Sequence, residues 1–184
     1  DNGLVFLYNI KVKQIYWQRG FNMYKVAVLT VSDKGSQGKR EDLSGKKIIE
    51  IIEKNGYKLE KYDIVADEKE LIKEKLIEYS NQNIELILTT GGTGFSKRDV
   101  TPEATLEVSE KLCLGISEAI RNYSMTITKR AMLSRAVSVI RKNSLIINMP
   151  GSPKAVEESL EYIIDTLDHA LKILQGDASE CARK

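Results

Sequence analysis

The sequence predicts an α/β domain built on a mostly parallel sheet covered by helices on both faces, with a small antiparallel hairpin near its end. Three observations point there. Runs rich in β-branched residues alternate along the chain with stretches of helical periodicity. The strand-like runs are almost continuously apolar, as strands buried on both faces are. Two late runs, 136–141 and 145–149, flank the polar stretch Lys142-Asn143-Ser144, which reads as a hairpin turn.

Taken in order, residues 24–32 (YKVAVLTVS) read as the first strand. Residues 42–54 follow as a helix, with Ile48, Ile49, Ile51 and Ile52 toward a core and Asn55-Gly56 as its stop. Residues 57–65 form the second strand candidate, and 69–80 the second helix, with Ile72, Leu76 and Tyr79 along one stripe. The third strand, 84–89, runs straight into Thr90-Gly91-Gly92-Thr93-Gly94. Thr101 reads as the N-cap of the next helix, with Pro102 at the first helical position and Glu103 in the first turn, where the helix dipole favours a carboxylate. That helix is expected to end near Gly115, with another over 116–125. After the hairpin, Pro150-Gly151-Ser152-Pro153 punctuates, and 154–174 form a long helix with Val156, Leu160, Ile163, Ile164, Leu167, Leu171 and Leu174 on its apolar stripe, ended by Gly176.

The composition bounds the function. A chain of 184 residues fits one domain with a substantial core. A net charge of +2, with no basic run on one face, gives no argument for nucleic acid. No apolar stretch approaches the roughly 18 residues that span a bilayer. The cysteines, Cys113 and Cys181, form no CxxC pair, so a zinc site is not expected. Cys113 falls at the end of a predicted helix and reads as a small core residue, Cys181 as part of a polar tail over 178–184. His169, the single histidine, lies late in a helix with no serine or cysteine motif around it, which favours a structural role. Residues 1–22 lack the basic start, long apolar stretch and small-residue end of a signal peptide. They read as a tag, linker or upstream read-through ahead of a domain over 23–177, and the expected location is the cytoplasm.

Open α/β sheets bind ligands outside the carboxyl ends of their strands. Four segments sit at such ends: Ser32-Asp33, Ala66-Asp67-Glu68, the stretch 89–99, and 148–153. In Thr90-Gly91-Gly92-Thr93-Gly94 the glycines let a ligand approach the backbone, whose N–H groups can face an anion, and the threonines add hydroxyls. A tight connecting turn accounts for the same residues, since the loop lacks the Lys-Ser/Thr ending of a Walker motif. A carboxylate on that loop, Asp99, suits a cation such as Mg²⁺, which takes one or two carboxylates and phosphate oxygens; Asp67 is the candidate second carboxylate. A helix cap or a solvated loop explains either aspartate equally. The free N–H groups at the start of the last helix, after Pro150-Gly151-Ser152, make a second candidate anion site or simply a capped turn. Ser134-Arg135 and Arg141-Lys142 could supply positive charge to a phosphate-bearing substrate, or be surface residues.

Three segments, VLTVSDKGSQG (28–38), TTGGTGFSKRDVTPEAT (89–105) and AMLSRAVSVIRKNSLIINMPGSPKAV (131–156), occur in this order and together resemble the MogA and gephyrin G-domain family, with the likeness extending from about 23 to about 177. The resemblance implies a three-layer αβα sandwich that assembles as a homotrimer. It implies an adenylyl transfer in molybdenum cofactor biosynthesis: the terminal phosphate of molybdopterin attacks the α-phosphorus of ATP, and pyrophosphate leaves, with Mg²⁺ assisting. Two family aspartates important for this step match Asp67 and Asp99, as catalytic residues and Mg²⁺ ligands. The nucleotide-contacting glycine loop matches Thr90, Gly91, Gly92, Thr93 and Gly94. The Ser-Asp pair matches Ser32 and Asp33, and the SR and PGSP segments match Ser134, Arg135, Pro150, Gly151 and Ser152 as binding residues. A hand-over to a molybdenum-insertion protein is implied as well. The alternative is a MoaB-like or gephyrin-like molybdopterin-binding or scaffold protein without catalysis of its own.

Overall fold

The computed structural model describes residues 23–176. The extension 1–22, the end of the chain from residue 177 and Cys181 lie outside the described residues.

Among the described residues the sheet has six strands, in the order β2-β1-β3-β6-β5-β4. The strands β1 (Lys25–Val31), β2 (Lys58–Val65), β3 (Leu86–Thr90) and β6 (Ser144–Met149) run parallel. At the other side β5 (Ser138–Arg141) and the two-residue β4 (Lys111–Leu112) are antiparallel. The hairpin between β5 and β6 turns at Lys142, which takes a left-handed φ of 51°.

A short helix, α1 (Asp33–Ser36), follows β1 directly, with Ser32 as its N-cap; the sequence reading did not expect it. Alternation along the strands divides the core between the two faces. Val26 and Val28, Leu86 and Leu88, and Leu145, Ile147 and Met149 join a cluster with α2 (Leu43–Lys54), α5 (Leu114–Ile127) and α6 (Pro153–Leu174). Ala27, Leu29, Val31, Ile87 and Ile146 face the other way, against α3 (Lys69–Asn81) and α4 (Thr101–Glu107). The result is the expected three-layer sandwich. Fully buried branched residues on both faces of the central strands explain why those strands read as unbroken apolar runs.

Register brings the carboxyl ends of the parallel strands level. Val31 pairs with Val65, Thr30 with Thr90, and Thr90 with Met149. Residues 32, 66, 91 and 150 therefore leave the sheet on one rim.

Three further local expectations are corrected. Thr101 does not cap α4: Val100 occupies the N-cap position without a side-chain bond, and the Thr101 hydroxyl donates instead to Gly91 O at 2.9 Å. The backbone N–H of Thr101 is already bound to Gly92 O, which holds the residue against the glycine loop. The helix ends at Glu107 rather than near Gly115, because β4 pairs with β5 across Lys111↔Ile140 and Leu112↔Val139. Cys113 consequently stands at the N-cap position of α5, only partly buried against the core rather than within it.

Candidate functional site

Two glycines make the rim's central turn possible. Gly91 and Gly92 both have left-handed backbone, at φ 94° and 63°. A Cβ on Gly91 would lie 2.3 Å from Val31 O, and one on Gly92 would lie 2.4 Å from Thr101 Oγ1 and 3.3 Å from Asp67 Oδ1. The turn thus packs directly on the ends of β1 and α4, with the Asp67 carboxylate against it. Thr90, buried beneath, donates its hydroxyl to Pro150 O at 2.6 Å and ties the turn to the loop 150–152. Ser152 caps α6 by accepting from Ala155 N–H at 3.2 Å.

Asp33 and Asp67 bind each other's backbones. Asp33 N–H donates to Asp67 Oδ2 at 2.8 Å, and Asp67 N–H donates to Asp33 Oδ1 at 3.0 Å. Arg98 reaches over from the glycine loop: its Nε and Nη2 donate to the Asp33 carboxylate at 3.2 and 2.8 Å, and its Nη1 to Glu68 at 2.8 Å. The guanidinium bound to Asp33 holds that carboxyl below the usual range. Asp67 moves the opposite way. Burial raises it, and although the Asp33 N–H lowers it, the charges of Asp33 and Asp99 raise it further.

Asp99 approaches the turn from the other side. A Cβ on Gly94 would stand 2.9 Å from Asp99 Oδ2, the oxygen that also accepts from Ser96 N–H at 2.9 Å. The two carboxylates therefore flank the glycine turn closely enough for the charge of Asp99 to be felt at Asp67. Among the described residues, no group of three or more histidine, cysteine or acidic side chains gathers as a metal cage. Two carboxylates facing one turn, one of them raised by burial and by its acidic neighbours, suit a cation that completes its coordination with phosphate oxygens and water.

Two cavities open on either side of this turn and share Gly92 and Gly151 in their walls. One, of about 300 Å³, is lined by Thr30, Ser32, Asp42, Ser44, Asp67 and Gly91 among others. The second, of about 460 Å³, is bounded by Thr93, Gly94, Asp99, Ser134, Asn148 and Pro150 and by the inner side of α5. Thr90 lines the smaller cavity, and of the binding residues expected from the sequence only Asp33, Arg135 and Ser152 line neither. Asp33 and Ser152 hold the rim from outside. Arg135 lies behind the turn with its guanidinium engaged by protein groups: Nε on Gly94 O and Nη2 on Asp99 O, both at 2.6 Å, and Nη1 on Glu103. His169 is exposed late in α6, outside both cavities.

One site residue, Asp42, escaped the sequence reading, and a second, Asn148, was read only as the start of the rim segment 148–153. Asp42 caps α2, accepting from Gly45 N–H at 2.8 Å and Ser44 Oγ at 3.0 Å, and also takes the Thr30 hydroxyl at 2.5 Å and the Tyr62 hydroxyl at 2.7 Å. Burial alone would raise its pKa, but these donors outweigh that and lower it. Asn148, fully buried, donates to Thr89 and Thr105 hydroxyls at 3.0 and 2.9 Å and accepts from Val137 N–H at 3.3 Å. The signal for it was a lone amide inside the apolar run LIINM. Asp42 carried only a helix-start signal, since its partners Thr30 and Tyr62 are distant in sequence.

The chain matches a family model described as a probable molybdopterin binding domain over residues 27–169. It is 40% identical over 164 residues to a molybdopterin adenylyltransferase of Helicobacter pylori (strain J99), covering 86% of this chain and 92% of that protein. It is 41% identical to a gephyrin of Dictyostelium discoideum over 82% of this chain, but only 22% of that larger protein. Among solved structures, the molybdopterin biosynthesis enzyme MoaB of Thermus thermophilus superposes with a TM-score of 0.80 at 40% identity, covering 86% of this chain and 100% of that one. No helix among the described residues is long and apolar enough to cross a membrane.

Proposed function

The chain belongs to the molybdopterin-binding domain family, and we propose that within it the protein acts as a molybdopterin adenylyltransferase of molybdenum cofactor biosynthesis. It transfers AMP from ATP to the terminal phosphate of molybdopterin and releases pyrophosphate. The observation that carries this reading is the pair of cavities meeting at Gly92 and Gly151, with Asp67 on one side of the turn and Asp99 on the other. Such an arrangement lets two phosphate-bearing ligands enter from opposite sides and bring their phosphates to one glycine turn.

The chemistry asks little of a general base, because the attacking group is already a phosphate oxygen. The barrier is the approach of two anions, and positioning lowers it. Gly91 and Gly92 let the turn pack onto Val31 and Thr101, where a Cβ on either would clash, and this sets the backbone of residues 90–94 between the two cavities. The start of α6 after Pro150, Gly151 and Ser152 adds a positive dipole end. Asp67 and Asp99 are the residues that would hold Mg²⁺, which when bound neutralises phosphate charge. Asp33 fixes Asp67 by its backbone and is itself held by Arg98. Thr93 and Ser134 bound the larger cavity, and Ser32 and Thr90 the smaller. The family resemblance further supports a cytoplasmic homotrimer that hands its product to a molybdenum-insertion protein.

The test is to supply the purified chain with ATP labelled on the α-phosphate, with and without molybdopterin. Label transferred to molybdopterin, with pyrophosphate as the second product, is the expected result. Release of ADP would replace this reading with a kinase or hydrolase. Tight molybdopterin binding without label transfer would favour a gephyrin-like scaffold.

A further inference from the structure

Arg135 lines neither of the two cavities that meet at the turn, yet it grips the loop between the glycine turn and α4 at both ends. Its backbone N–H donates to Thr93 O at 2.9 Å, Nε to Gly94 O and Nη2 to Asp99 O, each at 2.6 Å. Its Nη1 binds Glu103, in the first turn of α4. The intervening residues Phe95, Ser96, Lys97 and Arg98 are exposed. Within the loop, Asp99 N–H reaches Ser96 O at 3.0 Å, and Ser96 N–H reaches Asp99 Oδ2 at 2.9 Å. Those bonds shape the loop around Asp99. Thr101 ties its far end to Gly91 and Gly92, and Arg98 ties its exposed part to Asp33 and Glu68. The Arg135 guanidinium holds a carbonyl on either side of that exposed part, the second being that of Asp99 itself.

We infer that Arg135, braced by Glu103, is a positioning residue for the adenylyl transfer: it sets the distance of the Asp99 carboxylate from the glycine turn without touching either substrate. A planar fork that donates in three fixed directions can hold two carbonyls and a carboxylate at once; a lysine ammonium in the same place is a single point of charge on a flexible stem. Glu103 is committed to this arrangement. Its Oε1 binds Nη1, and its Oε2 is buried without a hydrogen-bond partner among the described residues, so Arg135 is the cation that answers this half-exposed carboxylate. The inference rests on the role given to Asp99 above.

The experiment compares Arg135→Lys, Asp99→Asn and the double variant on the full chain, with amide exchange over residues 94–99 as a readout independent of catalysis. Arg135→Lys keeps the charge for Glu103, so the expected protein is folded, exchanges faster over 94–99 and binds ATP with an unchanged KM. Its kcat falls by about ten- to a hundredfold, the scale of an ångström-sized misplacement. The double variant is no slower than Asp99→Asn alone, because both changes act on one group. A wild-type kcat, unchanged exchange, or a rise in KM at constant kcat would overturn the inference. So would losses that multiply in the double variant while Asp99→Asn alone is slow. Full activity of Asp99→Asn would instead remove the role of Asp99 itself, and the inference with it. Should Arg135→Lys fail to fold, Glu103→Gln tests the same brace: expected is a smaller loss confined to kcat, and an unaltered kcat overturns the proposal.

Discussion

Asp33 and Asp67 each accept the other's backbone N–H, at 3.0 and 2.8 Å, so two carboxylates from neighbouring strand ends are locked together by main-chain donors. Only Oδ2 of Asp67 is used in this exchange, and Oδ1 lies on the Gly92 side, 3.3 Å from where a Cβ on that glycine would sit. The carboxylate is thus oriented by one oxygen and offered to the site by the other.

Asp67→Asn and Asp99→Asn should each slow adenylyl transfer by about 10²- to 10³-fold, the loss common when charge stabilisation of a transition state is removed. Asparagine keeps the shape and can still accept the backbone hydrogen bonds, so circular dichroism should be unchanged. Single-turnover formation of adenylylated molybdopterin is the measurement. Rates near wild type in both variants would assign the two aspartates to the scaffold.

Gly92→Ala should abolish most activity, whereas Gly38→Ala should not. Both positions are left-handed, at φ 63° and 68°, and that conformation costs an alanine about 1–2 kcal/mol at either. They differ in surroundings. A Cβ at 92 meets Thr101 Oγ1 and Asp67 Oδ1, while one at 38 meets nothing within 4 Å. Steady-state kinetics beside thermal melts separate the shared backbone effect from the displaced carboxylate; equal activity losses would contradict the crowding argument.

Asp42 should make stability sensitive to acid. Its folded pKa is lowered from the ordinary 3.8, so its stabilising contribution is fully present above that value and disappears as the pH falls through the depressed one. Asp42→Ala is expected to cost about 1–3 kcal/mol at pH 7, through the loss of the cap and of the acceptor for Thr30 and Tyr62. Urea unfolding of both proteins at about pH 7 and at successively lower pH below the ordinary carboxylate value of 3.8 is the check. The gap should narrow in acid, and a constant gap would show that the charge contributes nothing.

Asn148→Ala should destabilise the domain by about 1–3 kcal/mol, since it strands the Val137 N–H and removes the amide that joins Thr89 to Thr105. Because Asn148 also lines the larger cavity, weaker binding of the substrate that enters there should accompany the lower stability. Calorimetry with molybdopterin and with ATP in turn, at a temperature where the variant is fully folded, distinguishes the two effects.

The layers of this fold were legible because central parallel strands are coated on both sides. Val26 through Val31 are buried on alternate faces, and an apolar run satisfies both. The rim segments were legible for the same reason: each begins where such a run stops. What escaped was set by partners far along the chain. The two-residue β4 has no strand signature of its own and exists because Ile140 and Val139 lie beside it. Thr101 has the residue type of an N-cap, but the glycine turn ten residues earlier takes its hydroxyl. Arg135 looked like a ligand for phosphate. Its guanidinium goes to carbonyls 41 and 36 residues away, which no local pattern announces.

The strand order has a consequence for synthesis from the amino end. Among the described residues β6 is the last strand made, yet it lies in the middle of the sheet, between β3 and β5. Until it emerges, β3 keeps an open edge and β5 has no long neighbour, so the nascent chain is at its most vulnerable to pairing with another unfinished copy just before this strand appears. Insertion of β6 closes both edges in one event. It also delivers Pro150 to the waiting Thr90 hydroxyl and Gly151 to both cavities. Binding competence therefore arrives late: a ribosome-bound fragment ending before residue 144 lacks Gly151, the wall that the two cavities share with Gly92.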